Sequence, residues 1–304
     1  MISICIPVYN FDITSLVNEL TKQINLSNQP AEIVIIDDCS DGKFKEINSV
    51  VCQQHIYVEL EENIGRAKIR NLFLKYVKYD YLLFLDCDSS ILSPTFLSKY
   101  VEIIGEKPAI VCGGKVNDTS KPSRETRLRW KYSNKREIRS VEVRNKFPNN
   151  SFMANNFLIS RIILDQIRFD ERITQYGHED TLFGYSLKKN NIIIRHIDNP
   201  VENGDFDFNW DYLKKTEEGI KNLVAILNFP EYQEDLQNDV ALIRFYRKVK
   251  KIDGIISLLF TLHKRQIKWL LSKGFVSLRL FDFYKLGLLI EYLKKKLSSL
   301  KPDS

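Results

Sequence analysis

Several common protein classes are excluded by what this 304-residue sequence lacks. No window approaches the run of about 18 uncharged apolar residues that crosses a bilayer. No GxGxxG and no GxxxxGK occurs, which removes NAD-dependent oxidoreductases and P-loop enzymes. The five cysteines (Cys5, Cys39, Cys52, Cys87, Cys112) are odd in number and form no CxxC pair. Three sit in or beside apolar runs, where a thiol packs as a small hydrophobe. A disulfide framework and a zinc site are therefore not expected, and a reducing compartment is. The N-terminus MISICIPVYN enters a strand directly, without a basic segment followed by a long apolar one, so no conventional secretory signal is expected. There is no internal repeat and no low-complexity tract.

What is present fits an ordinary globular protein, with 44% hydrophobic and 28% charged residues. The length allows one large domain or two smaller ones. The net charge of +6 is unevenly spread. Residues 240–304 hold 15 Lys/Arg against 4 Asp/Glu, leaving 30 against 35 for the remainder. The tail is basic and the rest mildly acidic, so an anionic partner is expected at the tail alone.

The first 115 residues alternate between apolar, β-branched runs and segments of helical spacing. Strands are expected at 2–8, 32–36, 55–60, 81–85 and 109–111, with helices at 12–24, 44–52, 64–77 and 94–104. Continuous apolar strands separated by helices imply a mainly parallel sheet covered on both faces. Residues 118–144 are polar and basic and read as a long excursion or flexible loop. Order resumes at 151–159. Helices are expected at 161–167 and 179–189, a strand at 192–196, and a predominantly helical region after Asn209.

Ligands bind beyond the carboxyl ends of such strands, and four polar stretches lie there in succession. Ser3–Asn10 ends in Pro7-Val8-Tyr9-Asn10: Pro7 cannot donate to the ladder, and Tyr9 offers an aromatic face. Ile33–Gly42 carries Asp37 and Asp38, where a carboxylate can accept the imide N–H of a uracil-like base. Glu62–Asn71 opens a helix with Gly65, Arg66, Lys68 and Arg70, a ready anion site. Asp80–Asp88 ends in Asp86-Cys87-Asp88, a DXD pattern whose two carboxylates make a hard-oxygen site suited to Mg2+ or Mn2+. Each alone reads equally as a strand cap, a turn or a solvated helix face. Their order after four successive strands is the stronger signal.

These stretches resemble the family 2 glycosyltransferases, an inverting family with the GT-A fold, over roughly residues 1–225 and most sharply over the first 90. The resemblance implies a Rossmann-like, mainly parallel α/β sheet flanked by helices. It places a nucleotide-binding half at 1–115, an acceptor and catalytic-base half at 116–225, and a basic amphipathic helical extension at 226–304. It further implies that Pro7, Tyr9 and Asp38 line a nucleobase pocket, that Asp86 approaches the ribose and metal, and that Asp88 ligates Mn2+ or Mg2+ directly. Arg66 and Arg70 would hold base or diphosphate. The segment 147–157 resembles the stretch beneath the donor sugar, with Asn155 and Asn156 able to hydrogen-bond hydroxyls. Glu179-Asp180 resembles the family's acidic pair, with Asp180 as the base that deprotonates the acceptor and Glu179 near donor or acceptor sugar; the same pair reads equally as an N-terminal cap that complements the helix dipole. One position departs. Where many relatives carry a His after Asp-Asn-Pro-Val, this chain has Asn203, a weaker third metal ligand. His178 and His196 read as structural.

In the tail, Lys and Arg interleave with Trp269, Leu270, Leu271, Phe275, Phe281, Phe283 and Tyr284. Such helices suit an anionic membrane surface, or pack on the catalytic domain or a second copy to form a homodimer. Nucleic acid is not an expected partner. The expected activity is transfer of a sugar from a nucleoside-diphosphate donor, a UDP-sugar favoured, to a hydroxyl on a glycan or lipid-linked acceptor. Cell-surface polysaccharide assembly in the cytoplasm, on the inner face of the membrane, is the expected setting. The rival readings are a sugar-phosphate nucleotidyltransferase and a non-catalytic scaffold of the same fold that docks at a membrane.

Overall fold

The computed structural model describes residues 1–27, 30–118, 120, 122–203 and 206–299. The chain divides into two compact units. The first comprises Met1–Asp118, Ile138–Thr174 and Glu179–Asp205. Strand β1 (Ile2–Val8) is followed by α1 (Thr14–Leu26), β2 (Ala31–Asp37), α2 (Gly42–Val51), β3 (Ile56–Glu59) and α3 (Arg66–Leu72). Then come β4 (Tyr81–Leu85), β5 (Ser89–Ile91), α4 (Phe96–Ile104), β6 (Ile110–Cys112) and β7 (Lys115–Val116). Beyond α5 (Arg127–Tyr132), which belongs to the second unit, the first resumes with α6 (Val141–Lys146), β8 (Asn156–Ser160) and α7 (Arg161–Gln166). It closes with α8 (Glu179–Lys189), β9 (Arg195–His196) and β10 (Val201–Asn203).

One sheet has the order β3-β2-β1-β4-β8-β6-β9, and β5-β10-β7 form a second. Strands β1, β2, β3 and β4 pair in parallel, while β8 runs antiparallel between β4 and β6. Both faces of the large sheet are apolar, as expected of strands buried on two sides. Ile4, Ile6 and Leu83 point into one core and Val34, Phe84 and Phe157 into the other. Phe84 stacks on Phe157 at 4.9 Å between centroids, locking the antiparallel insertion to the parallel half.

Three expectations need correction. The segment 118–144 contains helices rather than a flexible loop: α5, a wider helical turn at Ser133–Glu137, and α6. Its basic residues conceal the pattern because some are buried. Arg129 donates to Glu137 at 2.7 Å, and Arg144 is only 5% exposed. The strand expected at 192–196 shrinks to Arg195–His196, with Ile193 turned out to solvent. The helix expected at 64–77 is α3 followed by a tighter turn at Phe73–Lys75.

The second unit comprises Thr119–Glu137, Gln175–His178 and Phe206–Ser304. Besides α5 it holds α9 (Asn209–Ile226), α10 (Gln233–Asp239), α11 (Ala241–Val249), α12 (Asp253–Ser272) and α13 (Leu278–Ser299). Its core joins Leu128, Tyr212 and Leu213 to Phe260, Phe281 and Tyr284. Helix α9, which a division at residue 225 assigns to the catalytic domain, groups with these helices. The last five residues of the expected extension, 300–304, lie outside the described residues.

Candidate active site

The polar cluster at the carboxyl ends of β1, β2 and β4 is tied together by backbone-directed hydrogen bonds. Asn10, with φ of 50°, accepts from the Asp41 amide at 2.7 Å and donates its own amide to Ser40 Oγ at 2.8 Å. Buried Asp37 accepts from the Ser40 amide and from the Tyr57 hydroxyl. Pro7 is half-buried beside this turn and Tyr9 is exposed. The two carboxylate oxygens of Asp38 accept the Ile64 and Gly65 amides at 2.7 and 3.1 Å. Gly65 sits at φ 83°, a region that costs a side-chain-bearing residue, and this turns its N–H toward Asp38. Burial outweighs these bonds and raises the Asp38 carboxyl above its usual range. Asp38 thus fixes the entry of α3.

Helix α3 places Arg66 and Arg70 one turn apart. Arg70 is buried; its Nη2 donates to Asp86 Oδ1 at 3.0 Å, and its Nη1 to the Arg66 carbonyl at 3.1 Å. Nη1 also lies 3.9 Å from Glu179 Oε1, which Arg66 Nη1 approaches at 3.5 Å from the exposed side. Both arginines therefore reach Glu179, and Arg70 also bonds to Asp86 in the DXD triplet. One guanidinium joins the end of β4 to the start of α8.

The acidic pair is positioned by packing. Phe183 in α8 stacks on Phe169 at 4.0 Å with the rings 7° apart, and Asn71 clamps Phe169 by accepting its amide and donating to its carbonyl. Asp180 accepts from the Thr181 amide at 2.7 Å. Its carboxyl is pushed up to about 6, by burial first and by neighbouring Glu179 second, with the two arginines pulling it back. A carboxyl near 6 suits a group that takes up a proton near neutral pH.

The Asp88 carboxyl is likewise pushed up to about 6, by burial and by the like charge of Asp86. A buried carboxylate raised by a neighbour's negative charge in this way is short of positive charge, and a divalent cation supplies it. Asn203 sits in register opposite Ser89, the residue after Asp88. Its Oδ1 accepts from Asn155 Nδ2 at 3.3 Å, and the Asn155 carbonyl accepts the Asp86 amide. Buried Asn155 Oδ1 is left without a partner, a polar group awaiting a donor. Among the described residues no group of three His, Cys, Asp or Glu gathers to hold a metal. By their chemistry, the oxygens of Asp86, Asp88 and Asn203 suit a cation that retains water and phosphate ligands.

One placement differs from expectation. Asn156 is 1% exposed and faces away from the cluster. Both of its amide hydrogens go to the Gly114 and Asn199 carbonyls, and its oxygen accepts the Tyr100 hydroxyl at 2.6 Å. It braces the strand ends and has no donor left for a sugar. His196 proves structural, as read: Arg144 reaches its Nδ1 and Pro148 O its Nε2, and burial lowers its pKa. Two residues had no sequence signal. Buried Lys115 draws the Asp88 carboxyl down. Arg144 donates to the Cys112, Gly113 and Ile197 carbonyls. Its guanidinium packs so closely on the chain that a Cβ on Gly114 would lie 2.8 Å from it.

Solved structures give the class. The Staphylococcus aureus TarS 1-349 complex with UDP-GlcNAc aligns over 100% of this chain and 93% of its own, at 18% identity and TM-score 0.53. The mannosyltransferase PcManGT from Pyrobaculum calidifontis, solved with GDP-Man and Mn2+, aligns over 99% and 88% at 13% identity and TM-score 0.59. The fold is GT-A. The sequence profile of Glycosyl transferase family 2 matches residues 3–168, and the chain belongs to that family. An uncharacterized glycosyltransferase of Haemophilus influenzae is 33% identical over 116 residues, covering 36% of each chain. S. aureus poly(ribitol-phosphate) beta-N-acetylglucosaminyltransferase TarS is 35% identical over 94 residues, covering 29% of this chain and 16% of TarS. The matched stretch thus spans about a third or less of these curated relatives.

Proposed function

We propose that this protein transfers a sugar, with inversion, from a nucleoside-diphosphate sugar to a hydroxyl group, with a UDP-sugar as the favoured donor. The observation that carries this reading is the Arg70 bridge between Asp86 at the end of β4 and Glu179 at the start of α8. It brings a carboxylate of the DXD triplet and the carboxylate beside Asp180 to one guanidinium. Neighbours solved with UDP-GlcNAc and with GDP-Man and Mn2+ support a nucleotide-sugar donor and a divalent ion.

Asp86 and Asp88, with Asn203, would hold Mn2+ or Mg2+. When bound, the ion supplies positive charge against the donor diphosphate. Tyr9 and Pro7 offer the nucleobase a face, and Asp38 shapes its pocket floor. Arg66 and Arg70 oppose the charge left on the departing nucleotide. Asn155 Oδ1 accepts a hydroxyl of the sugar. Asp180 takes the proton from the acceptor hydroxyl as that oxygen attacks the anomeric carbon, while Glu179 is held aside by the arginines. A glycan or lipid-linked acceptor in cell-surface polysaccharide assembly fits this chemistry.

A panel of nucleotide sugars assayed for transfer and donor hydrolysis with Mn2+ tests the reading. Asp180→Asn should lower turnover by roughly 10²- to 10⁴-fold, the range for a lost general base, and keep UDP-dependent thermal stabilisation. Asp88→Ala should lose both. Undiminished turnover in Asp180→Asn removes the base. Absence of any thermal shift with UDP or GDP plus Mn2+ favours a non-catalytic scaffold.

A further inference from the structure

Helix α12 has an apolar face on each side. Phe260, Ile267 and Leu271 enter the core of the helical unit. On the opposite side, Ile255, Leu258, Leu259 and Leu262 follow the i, i+3, i+4, i+7 pattern of one face and are exposed, Leu258 and Leu262 by more than 60%. Ile252 extends the stripe one turn back, and exposed Trp269 lies further along the same face. A groove of about 410 Å³, lined by Leu259, Ile267, Leu270, Leu280 and Phe283 together with His263 and Gln266, continues the apolar surface toward α13. Contiguous exposed apolar surface of this extent marks an interaction site.

The charge around the stripe selects the partner. Between residues 241 and 281 stand Arg244, Arg247, Lys248, Lys250, Lys251, Lys264, Arg265, Lys268, Lys273 and Arg279, against Asp253 alone. Acid partners from elsewhere engage Lys264 (Glu291) and Lys268 (Glu217). Exposed Phe245 on α11 stands among Arg244, Arg247 and Lys248, repeating the pattern one helix earlier. A second copy seated on this face would oppose one set of cations with another, which disfavours association. No helix among the described residues is long and apolar enough to cross a membrane. An amphipathic helix with an aliphatic stripe, an interfacial Trp and a basic border matches a surface that is apolar below and negative above.

We propose that the exposed face of α12, with the basic residues of α11 and the α11–α12 turn, docks this protein on an anionic lipid surface. The inference stands apart from the transfer chemistry, because it uses no residue of the active site.

Sedimentation of the full chain with vesicles tests it. The protein should partition onto vesicles of equal parts phosphatidylglycerol and phosphatidylcholine at least about tenfold better than onto phosphatidylcholine alone. That preference should collapse between about 0.1 and 0.5 M NaCl, where screening shortens the reach of surface charge. The double variant Leu258→Ser/Leu262→Ser, at exposed positions, should keep the far-UV spectrum and the UDP-dependent thermal shift and lose most of the partitioning. Failure to partition, equal partition onto neutral vesicles, or full partition of the variant each overturns the proposal. So does a dimer in light scattering that the same variant dissociates, which assigns the face to a second copy. An intact thermal shift beside failed partitioning leaves the transfer reading untouched.

Discussion

Each unit contains an acidic centre, and the two are built to opposite rules. In the helical unit, Glu217 accepts from Lys268 Nζ at 2.6 Å and from the Tyr284 hydroxyl at 2.5 Å. Its charge is matched, and it ties α9 to α12 and α13. In the sheet unit, Asp88 and Asp180 lie beside further carboxylates, Asp86 and Glu179, and both carboxyls are pushed up to about 6. A structural acid is fully partnered; on the proposed function, Asp88 and Asp180 are left short of partners so that a ligand can complete them. The exposed stripe of α12 is the apolar counterpart, surface that folding alone would have hidden.

Breaking the bridge should have the largest effect on stability. Arg70→Met leaves Asp86 and Glu179 facing each other's charge without the buried guanidinium between them. Removing one partner of a buried ion pair costs about 3–5 kcal/mol, to be read from the denaturant midpoint. Turnover should fall with it, because α8 loses its tie to the end of β4. If Arg70→Met keeps wild-type stability, the bridge is not what joins the two carboxylate groups.

Glu217→Gln sharpens the contrast from the other side. It removes the charge opposite Lys268 and weakens the bond from Tyr284. The expected loss is about 1–3 kcal/mol, the range for a charge-assisted hydrogen bond with a partner left behind. UDP-dependent stabilisation should be unchanged. A Glu217→Gln protein with normal stability but impaired nucleotide binding would erase the distinction between the two centres.

The sequence reveals most where local pattern and tertiary role agree. Tyr81–Leu85 is a continuous apolar run ending in Asp86, and the structure keeps both bounds. Glu179–Lys189 begins with two acids and carries a buried face, and it is α8 without adjustment. Legibility fails where a polar residue does a core residue's task. Arg144 looks like its exposed basic neighbours, yet it satisfies three carbonyls and a histidine. Asn155 and Asn156 are adjacent and chemically identical, but Asn155 stands in the turn before β8 and reaches Asn203, while Asn156 opens the strand and bonds inward to Tyr100 and the Gly114 and Asn199 carbonyls. Phe281 and Tyr284 in the tail are core residues, while Trp269 and Phe275 are exposed. Only contacts distant in sequence make those assignments, and no spacing rule contains them.

The smallest expected effect is the most discriminating. A carboxyl raised to about 6 by burial binds its proton more tightly in the folded chain than in the unfolded one, where the ordinary value is near 4. Its contribution favours folding at low pH and is lost as pH rises from about 4 through about 6. At pH 7, ionised Asp180 therefore costs stability, about 1–2 kcal/mol for a half-buried group. Asp180→Asn should raise the melting temperature at pH 7, and the gain should vanish below about pH 4. Over the same window the wild-type transfer rate should fall about tenfold per unit below pH 6, because protonated Asp180 cannot accept the acceptor's proton. A partnered acid such as Glu217 predicts the reverse: its amide variant loses stability at pH 7. Opposite signs for two acid-to-amide substitutions in one chain would mark which carboxylate serves the fold and which the reaction. Equal signs would place Asp180 among the structural acids.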